Sequence, residues 1–309
     1  MKNKALLFSF LFLLSINKIQ SQGCSDAGVC RLHPIESTAN PKNGTRESKH
    51  EIGIGTGYAL GERKTDIFTL QLEYSYRFKN RLSVTGKLNF NHISGELAKT
   101  NGPGDLFLSI DKGFATGKKW KKNVFAGVKI PTGSSNKKNF GQGLPMVYQP
   151  SLGSTDLLAG FSMTNHQWSF ALAYQQPLTG ANNNGFLVSK YTSSPLAVNY
   201  PSTNQFTRKA DLVARMSRSF SAGSRWTLQP GLLGIYHTGS DRYQDETGRT
   251  LSIDGSTGLT LNALLNLQYQ TSERSNIRFS AGTPMIVRAE RPDGLTRKFV
   301  TAVEYVFRF

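Results

Sequence analysis

A histidine and a serine two residues apart are the side chains of this sequence best spaced for chemistry. His92 and Ser94 stand in the run Phe90-Asn-His-Ile-Ser-Gly95. Residues two apart on a β-strand share a face, so the imidazole could accept the proton of the hydroxyl and make it a nucleophile. A hydroxyl activated in this way attacks ester or amide carbonyls. The same pattern also fits a histidine with only a structural role at the end of a strand.

The run around His92 and Ser94 is similar to the Asn-His-x-Ser-Asn-Gly segment of outer-membrane phospholipase A, a twelve-strand barrel. The resemblance implies a lipid-ester hydrolase with both side chains on the outer face, near the external rim. Two positions depart from that pattern, because Gly95 replaces the second Asn and Leu106 stands about where an orienting Asn is expected. A triad needs its orienting group. We therefore predict a protein that is not an enzyme, with the hydrolase as the alternative.

A second set of side chains that could bind a solute is charged, and it lies on the polar face of the alternating segments. On the inner face of a closed barrel these residues would meet the lumen. A basic lining favours the passage of anions, whereas in a narrow lumen cations and acids can pair and fill the space. We predict that the solute path is lined by Arg77, Lys87, Lys129, Arg215, Arg278, Glu73 and Glu304.

The sequence offers no set of metal ligands and no cofactor motif, so neither is expected. Cys24 and Cys30 are close together, and His33 does not complete a ligand set. In an exported chain such a pair indicates a local disulfide. Lipidation of Cys24 and two free thiols are the alternatives.

The elements that carry these residues are strands of alternating polarity. In residues 66–78, six aromatic or leucine side chains alternate with mostly polar ones. The same pattern repeats along the chain until its last residue, Phe309. It predicts strands at 51–60, 66–78, 81–93, 105–114, 123–131, 155–163, 166–176, 208–217, 225–236, 257–270, 276–286 and 298–309.

The fold class predicted by this pattern is an all-β, antiparallel transmembrane barrel of about twelve strands. Single-chain bacterial barrels have an even strand number, short periplasmic turns and long external loops, and the connections here alternate in that way. An even number puts both termini in the periplasm. Fourteen strands would result if the segment 177–207 contained a hairpin. A soluble β-sandwich is disfavoured because the polar faces would make a poor core.

Both ends of the chain indicate export to the outer membrane. Residues 1–22 have the charged start, short apolar stretch and small residues of a cleaved signal peptide. Residues 23–49 are predicted to be a periplasmic extension, and residues 50–309 the barrel. The last strand ends on Phe309 and resembles the signal read by the barrel assembly machinery.

The amino-acid composition limits which kinds of binding partner are expected. The formal net charge is +17 and the mean hydropathy is −0.35. A basic excess favours anionic partners, and for an exported barrel these are the phosphates of lipopolysaccharide. Nucleic acid is not expected, because the sequence has no binding motif for it. The low hydropathy excludes a helical membrane protein but not a barrel, whose strands need apolar residues only at alternate positions.

Two segments resemble a known family. The run from Gly104-Asp to Phe114, followed by Gly127-Val-Lys-Ile-Pro-Thr-Gly133, is similar to outer-membrane transporters associated with meta-pathway phenol degradation, with Ile130 where Leu is usual. The cysteine-containing leader resembles exported barrels of Bacteroidetes. The resemblance implies passage of a small solute, anionic or aromatic and hydrophobic. A plugged barrel with a binding or structural role is the further alternative.

Overall fold

The computed structural model describes residues 48–61, 63–114, 119–294 and 297–309. The predicted signal peptide, residues 23–47 of the predicted extension, Cys24 and Cys30 lie outside these residues. Twelve antiparallel strands pair in sequence order and close into a barrel. They are β1 His50–Gly61, β2 Asp66–Arg77, β3 Leu82–Ser94, β4 Asp105–Phe114, β5 Lys121–Pro131, β6 Asp156–Thr164, β7 Trp168–Pro177, β8 Asp211–Arg218, β9 Trp226–His237, β10 Gly258–Gln270, β11 Ser275–Ile286 and β12 Arg297–Arg308.

The last strand closes the barrel against the first. The register joins Glu51 to Arg308, and the backbone N–H groups of His50 and Phe309 each donate to the other's carbonyl at 3.0 Å. The ring of Phe309 stacks on His50, with centroids 5.0 Å apart. The prediction that the terminal strand pairs with the first is therefore confirmed. Closure pairs the two edge strands of the twelve-strand sheet with each other, and a bilayer would not tolerate them unpaired.

The outer surface is apolar and the inner surface is largely polar. On β2, Phe68, Leu70 and Leu72 point outward and are 44–48% exposed, whereas the intervening Thr69 and Gln71 point inward and are buried. Similar exposed apolar side chains occur on every strand and together form a continuous belt. A soluble protein rarely exposes so large an apolar surface, whereas the hydrocarbon of a bilayer requires one. The chain is a transmembrane β-barrel, as the alternation predicted.

The remaining elements are short and lie mostly in the connections. Among the described residues no helix is long and apolar enough to cross a membrane. The segment after β7 contains two 3-10 helices and no hairpin, so the barrel has twelve strands and not fourteen. The short elements are the strands Lys99–Pro103, Lys138–Asn139, Gln142–Gly143, Phe220–Ala222, Arg242–Gln244 and Thr250–Ser252, and the 3-10 helices Lys79–Arg81, Met146–Tyr148, Val188–Lys190 and Pro195–Asn199.

A bulge at Gly104 changes which side chains face the lipid. The strand Lys99–Pro103 continues into β4, and both pair with β3, but Phe90 pairs with Pro103 while Lys87 pairs with Phe107. Three steps on β3 therefore match four on its partner, which is a β-bulge. The extra residue reverses the inward and outward alternation between the two segments.

The two ends of the barrel differ. One end has the short connections and both ends of the described barrel, and we call it the turn end. At the other, which we call the loop end, the connections 132–155, 178–210 and 238–257 and the described part of the last one, 287–294, fold over the lumen as a cap. Cap residues pack with inward residues of β1 to β3 in one buried cluster: Ala59, Ile67, Ile93, Leu97, Leu144, Tyr148, Phe186, Tyr191, Ala197 and Tyr200.

Candidate functional site

The inward charges at the turn end form one group, the turn-end cluster. Glu51 lies at its centre and accepts from Arg308 at 2.7 Å, Arg278 at 3.2 Å and Arg77 at 3.4 Å. Arg278 also reaches Glu304 at 3.5 Å. These residues come from the first two and the last two strands of the barrel, which meet where the sheet closes. Each cation that the cluster contributes to the lumen therefore has an acidic partner.

All seven residues predicted for the solute path lie on the inner face, but the structure divides them. Arg77, Arg278 and Glu304 belong to the turn-end cluster. Lys87 and Glu73 are direct partners in the β2–β3 register. The others lie elsewhere on the inner wall, Arg215 on β8 and Lys129 at the loop end of β5.

The loop end carries a larger buried charge network. Lys129 is fully buried, with its ammonium group 2.7 Å from Asp156 and 3.7 Å from Asp105. Arg208 lies further along, between Asp156 at 3.7 Å, Asp293 at 3.6 Å and Asp211, to which it donates a short hydrogen bond. We call this set the loop-end network, and it also contains Arg288, His237 and Asp241.

The loop-end network joins the cap to the barrel wall. Asp241 and Asp293 come from cap loops, whereas Asp211 and His237 are end residues of β8 and β9. His237 bridges the two sets, with its ring nitrogens 2.7 Å from Asp211 and 2.8 Å from Asp241. Arg288 donates to Asp293 at 2.5 Å. Loss of the network would therefore release several cap loops together.

The acids and bases of the loop-end network keep one another charged despite their burial. Burial would raise the pKa of Asp293, but Arg288 and Arg208 outweigh it and hold that pKa well below its usual range. Burial would lower the pKa of Arg208, and Asp211 and Asp293 instead raise it. Both groups therefore stay charged near neutral pH, and each depends on the other.

Two loops of the cap are in direct contact over the lumen. Gly294 lies against Met146 and Val147, and a Cβ at Gly294 would be 2.7 Å from the Met146 carbonyl oxygen. One small cavity lies on the outer side of this contact, beside Arg63 and Tyr200, and another on the inner side, beside Asn89 and Asp105. Each has room for water but not for a solute.

Asp105 links the start of β4 to the first cap loop. It is buried at the start of β4 and accepts a short hydrogen bond from the Ser151 hydroxyl in the first cap loop. Asn91 supports the same loop, since its side-chain amide donates to the Pro150 carbonyl at 2.9 Å. The Gly-Asp motif thus fastens the returning loop to the wall.

His92 and Ser94 share a face, as their spacing predicts, and both lie on the outer face near the loop end, as the resemblance implies. Asn101 is the register partner of His92 and is also exposed on the outside. The Gly104 bulge turns Asn101 outward, and the alternation of the sequence, which puts Leu106 near this position, gives no sign of the bulge. Among the hydrogen bonds of the described residues, none joins His92 to Ser94 or to Asn101.

Within the described part of the chain, no group of three or more His, Cys, Asp or Glu side chains is arranged to hold a metal ion. The five aspartates of the loop-end network are instead paired with Lys129, Arg208, Arg288 and His237.

Sequence reasoning missed most of the loop-end network. Arg208, Arg288, Asp156, Asp241 and Asp293 were not among its candidates. A usable signal existed for Asp156, because it starts a strand on the inward parity that carries Lys129 in the neighbouring strand. The others lie in loops, where no periodic pattern assigns a direction to the side chain.

Comparison with known proteins gives no relative by sequence: no protein family and no curated protein matches the chain. The resemblance to meta-pathway transporters therefore stays a prediction. Among solved structures, the chain is similar to the KdgM porin in complex with disordered oligogalacturonate, at 9% identity over 84% of this chain and 99% of that chain, with a TM-score of 0.45.

Two further structures have the same level of similarity. The NanC porin has 10% identity over 84% of this chain and 98% of that chain, with a TM-score of 0.48. The CymD monoaromatic hydrocarbon channel has 12% identity over 85% and 89%, with a TM-score of 0.43. At such identities a shared barrel architecture says nothing about the solute of either protein.

Proposed function

We propose that the chain is an outer-membrane channel for a small solute, seen here in a closed conformation. The observation that carries this proposal is a polar inner face that runs beneath a folded cap. A barrel used only as an anchor needs no polar lumen, because an apolar filling of the same volume would stabilise it at least as well.

The orientation and partners belong to the same proposal. With the loop end outside, the cap is the gate that a solute meets first, and the chain ends face the periplasm. The strand that ends on Phe309 is proposed to be read by the barrel assembly machinery, and the basic loops to contact lipopolysaccharide phosphates. The paired cations of both charge groups weaken the expectation of an anionic solute.

The contact at Gly294 provides the test. In Gly294→Ala the new methyl group would lie 2.7 Å from the Val147 Cα, so the cap cannot seat as it does now. Gly294 has a φ of +70°, where alanine pays a backbone cost of about 1–2 kcal/mol. We expect Gly294→Ala to raise the conductance of the purified barrel in planar bilayers well above that of the wild type.

Gly141→Ala is the matched control, because Gly141 has a φ of +78° but no atom near its missing side chain. It carries the backbone cost without the clash, so wild-type conductance is expected. Absence of conductance and of solute uptake in both wild type and Gly294→Ala would reject the channel. The plugged barrel with a binding or structural role would then be the better description.

A lipid-ester hydrolase is the second candidate, and the outward position of Asn101 opposite His92 favours it. If the three side chains act together, Ser94→Ala and Asn101→Ala would both abolish fatty-acid release from phospholipid vesicles. Equal release by wild type and Ser94→Ala, including no release by either, would eliminate the hydrolase. We expect equal release by the two proteins, because no hydrogen bond of the described residues links His92, Ser94 and Asn101.

A further inference from the structure

The outer rim of the turn end carries an excess of positive charge. Its described turns and strand ends contain eight Lys or Arg residues and one acid, Glu273, in the segments 78–81, 119–122, 165–167, 218–225 and 271–274. The acids of the turn-end cluster face the lumen, where they are bonded to arginines. The described connections of the cap are more balanced, with nine basic and six acidic residues. The unbalanced cations of the barrel are therefore concentrated at the turn end.

One cation of this rim, Arg218, is held on the outer face by aromatic rings. Arg218 has the outward parity of β8, and its guanidinium carbon lies 5.3 Å from the ring centre of Trp168 and 5.0 Å from that of Phe220. Phe170 stacks on Trp168 at 5.9 Å, and Trp120 lies 6.1 Å from Phe170. Contact with a ring face positions a guanidinium without neutralising it. In the part of the chain that the structure describes, no carboxylate pairs with Arg218.

A second cation, Lys122, lies on the same outer face. It is exposed near the start of β5 and is the register partner of Met163, which pairs in turn with Phe170. No ion pair between described residues includes Lys122. We call the set that these two cations form with their aromatic neighbours the turn-end surface; it consists of Trp120, Lys122, Trp168, Phe170, Arg218 and Phe220.

The turn-end surface lies where a bilayer changes from hydrocarbon to headgroups. Phe161 and Leu172 are register partners just beyond it toward the loop end, and both belong to the exposed apolar belt. Tryptophan is concentrated at the level of the headgroups in membrane proteins. Cations at this level meet lipid phosphates, and a guanidinium matches a phosphate by two parallel hydrogen bonds. A phosphate would supply the negative charge that the protein itself does not place beside Arg218.

We propose that the turn-end surface binds an anionic glycerophospholipid, with the lipid phosphate at Arg218, the acyl chains on the aromatic side chains and Lys122 adding long-range attraction. A zwitterionic lipid such as phosphatidylethanolamine brings its own ammonium group, which weakens its attraction to a basic surface, so a lipid with net negative charge is preferred. The proposed orientation puts this lipid in the periplasmic leaflet. Binding itself depends neither on that orientation nor on the channel function.

The tryptophans of this chain provide a local reporter. The sequence has three, Trp120, Trp168 and Trp226, and each lies beside a turn at the turn end. Bromine on an acyl chain quenches tryptophan on contact, so the fluorescence of the full chain in vesicles reports the lipid at this end alone. The probes are brominated phosphatidylglycerol and brominated phosphatidylethanolamine at equal mole fraction. We expect the anionic probe to bind about fivefold more tightly at low salt and to lose most of this preference at high salt.

Two double substitutions separate the turn-end surface from the net charge of the protein. Arg218→Gln/Lys122→Gln is expected to bring the ratio of the two binding constants close to one. Lys138→Gln/Lys190→Gln removes the same charge from exposed residues of the cap and is expected to keep the wild-type ratio. Heat-modifiable mobility on gels confirms that each variant is folded.

Three results would overturn the inference. The first is equal quenching of the wild type by the two lipids, and the second is an unchanged preference in Arg218→Gln/Lys122→Gln. The third is an equal loss of preference in Lys138→Gln/Lys190→Gln, which would assign the attraction to net charge. None of these results bears on the channel, which is tested by conductance.

Discussion

Replacing Arg208 by methionine is expected to cost about 3–5 kcal/mol and to open the cap, because it removes the cation between three buried aspartates. Its guanidinium lies within 3.7 Å of Asp156 and Asp293 and is bonded to Asp211, and its side chain is 3% exposed. Methionine fills a similar volume and keeps the packing, so the loss is mainly electrostatic. Three carboxylates would then share a buried site with too few cations.

Two measurements check the effect of Arg208→Met. The temperature at which the barrel loses its fast-migrating form on gels should fall, and conductance should rise. Arg208→Met/Asp293→Asn should recover part of both, because it removes one of the stranded charges. Wild-type stability and conductance in Arg208→Met would show that the loop-end network does not hold the cap.

The matched control for Arg208 is another arginine of the cap loops. Arg249 lies 2.9 Å from Asp245, but its side chain is 74% exposed. Exposed ion pairs contribute little because water and salt screen them. Arg249→Met is therefore expected to behave as wild type in both assays.

Tyr148→Ala is expected to have the second large effect, a loss of about 3–5 kcal/mol for a buried aromatic side chain. Tyr148 is fully buried in the cap cluster. Its hydroxyl accepts from the Leu97 N–H at 3.1 Å and lies 3.1 Å from that of Tyr200. Without the ring the cap loses an apolar contact with the inner face of β3 and the Leu97 turn, and we expect persistent conductance.

Two further substitutions separate the contribution of the Tyr148 ring from that of its hydroxyl and from a general effect of removing an aromatic side chain. Tyr148→Phe keeps the ring but leaves the Leu97 N–H unpartnered, for a loss of about 1–3 kcal/mol. Burial raises the pKa of Tyr148 and of Tyr200, so both hydroxyls are neutral at ordinary pH. Phe140→Ala, at a hairpin tip where Phe140 is 85% exposed, should change neither stability nor conductance. A closed Tyr148→Ala channel would show that the cap opens elsewhere.

The sequence by itself determined the barrel. The twelve predicted segments correspond to the twelve strands, with the largest difference at the start of β8, predicted at 208 and found at Asp211. The inner and outer faces of β2 and the closure by the terminal strand were also correct. These features follow from a two-residue period, which is local and can be read along a single chain.

Only the tertiary structure decided how the lumen is occupied. The one extra residue of the bulge at Gly104 turns Asn101 outward. If the alternation of β4 continued unbroken towards Lys99, Asn101 would face inward. Arg208 and Asp293 are separated by most of the last third of the chain, yet they share one buried network. Loop residues have no period, and their partners are chosen by closure of the barrel and by compensation of buried charge. Contacts of that kind are properties of the folded whole and leave no repeating mark in the sequence.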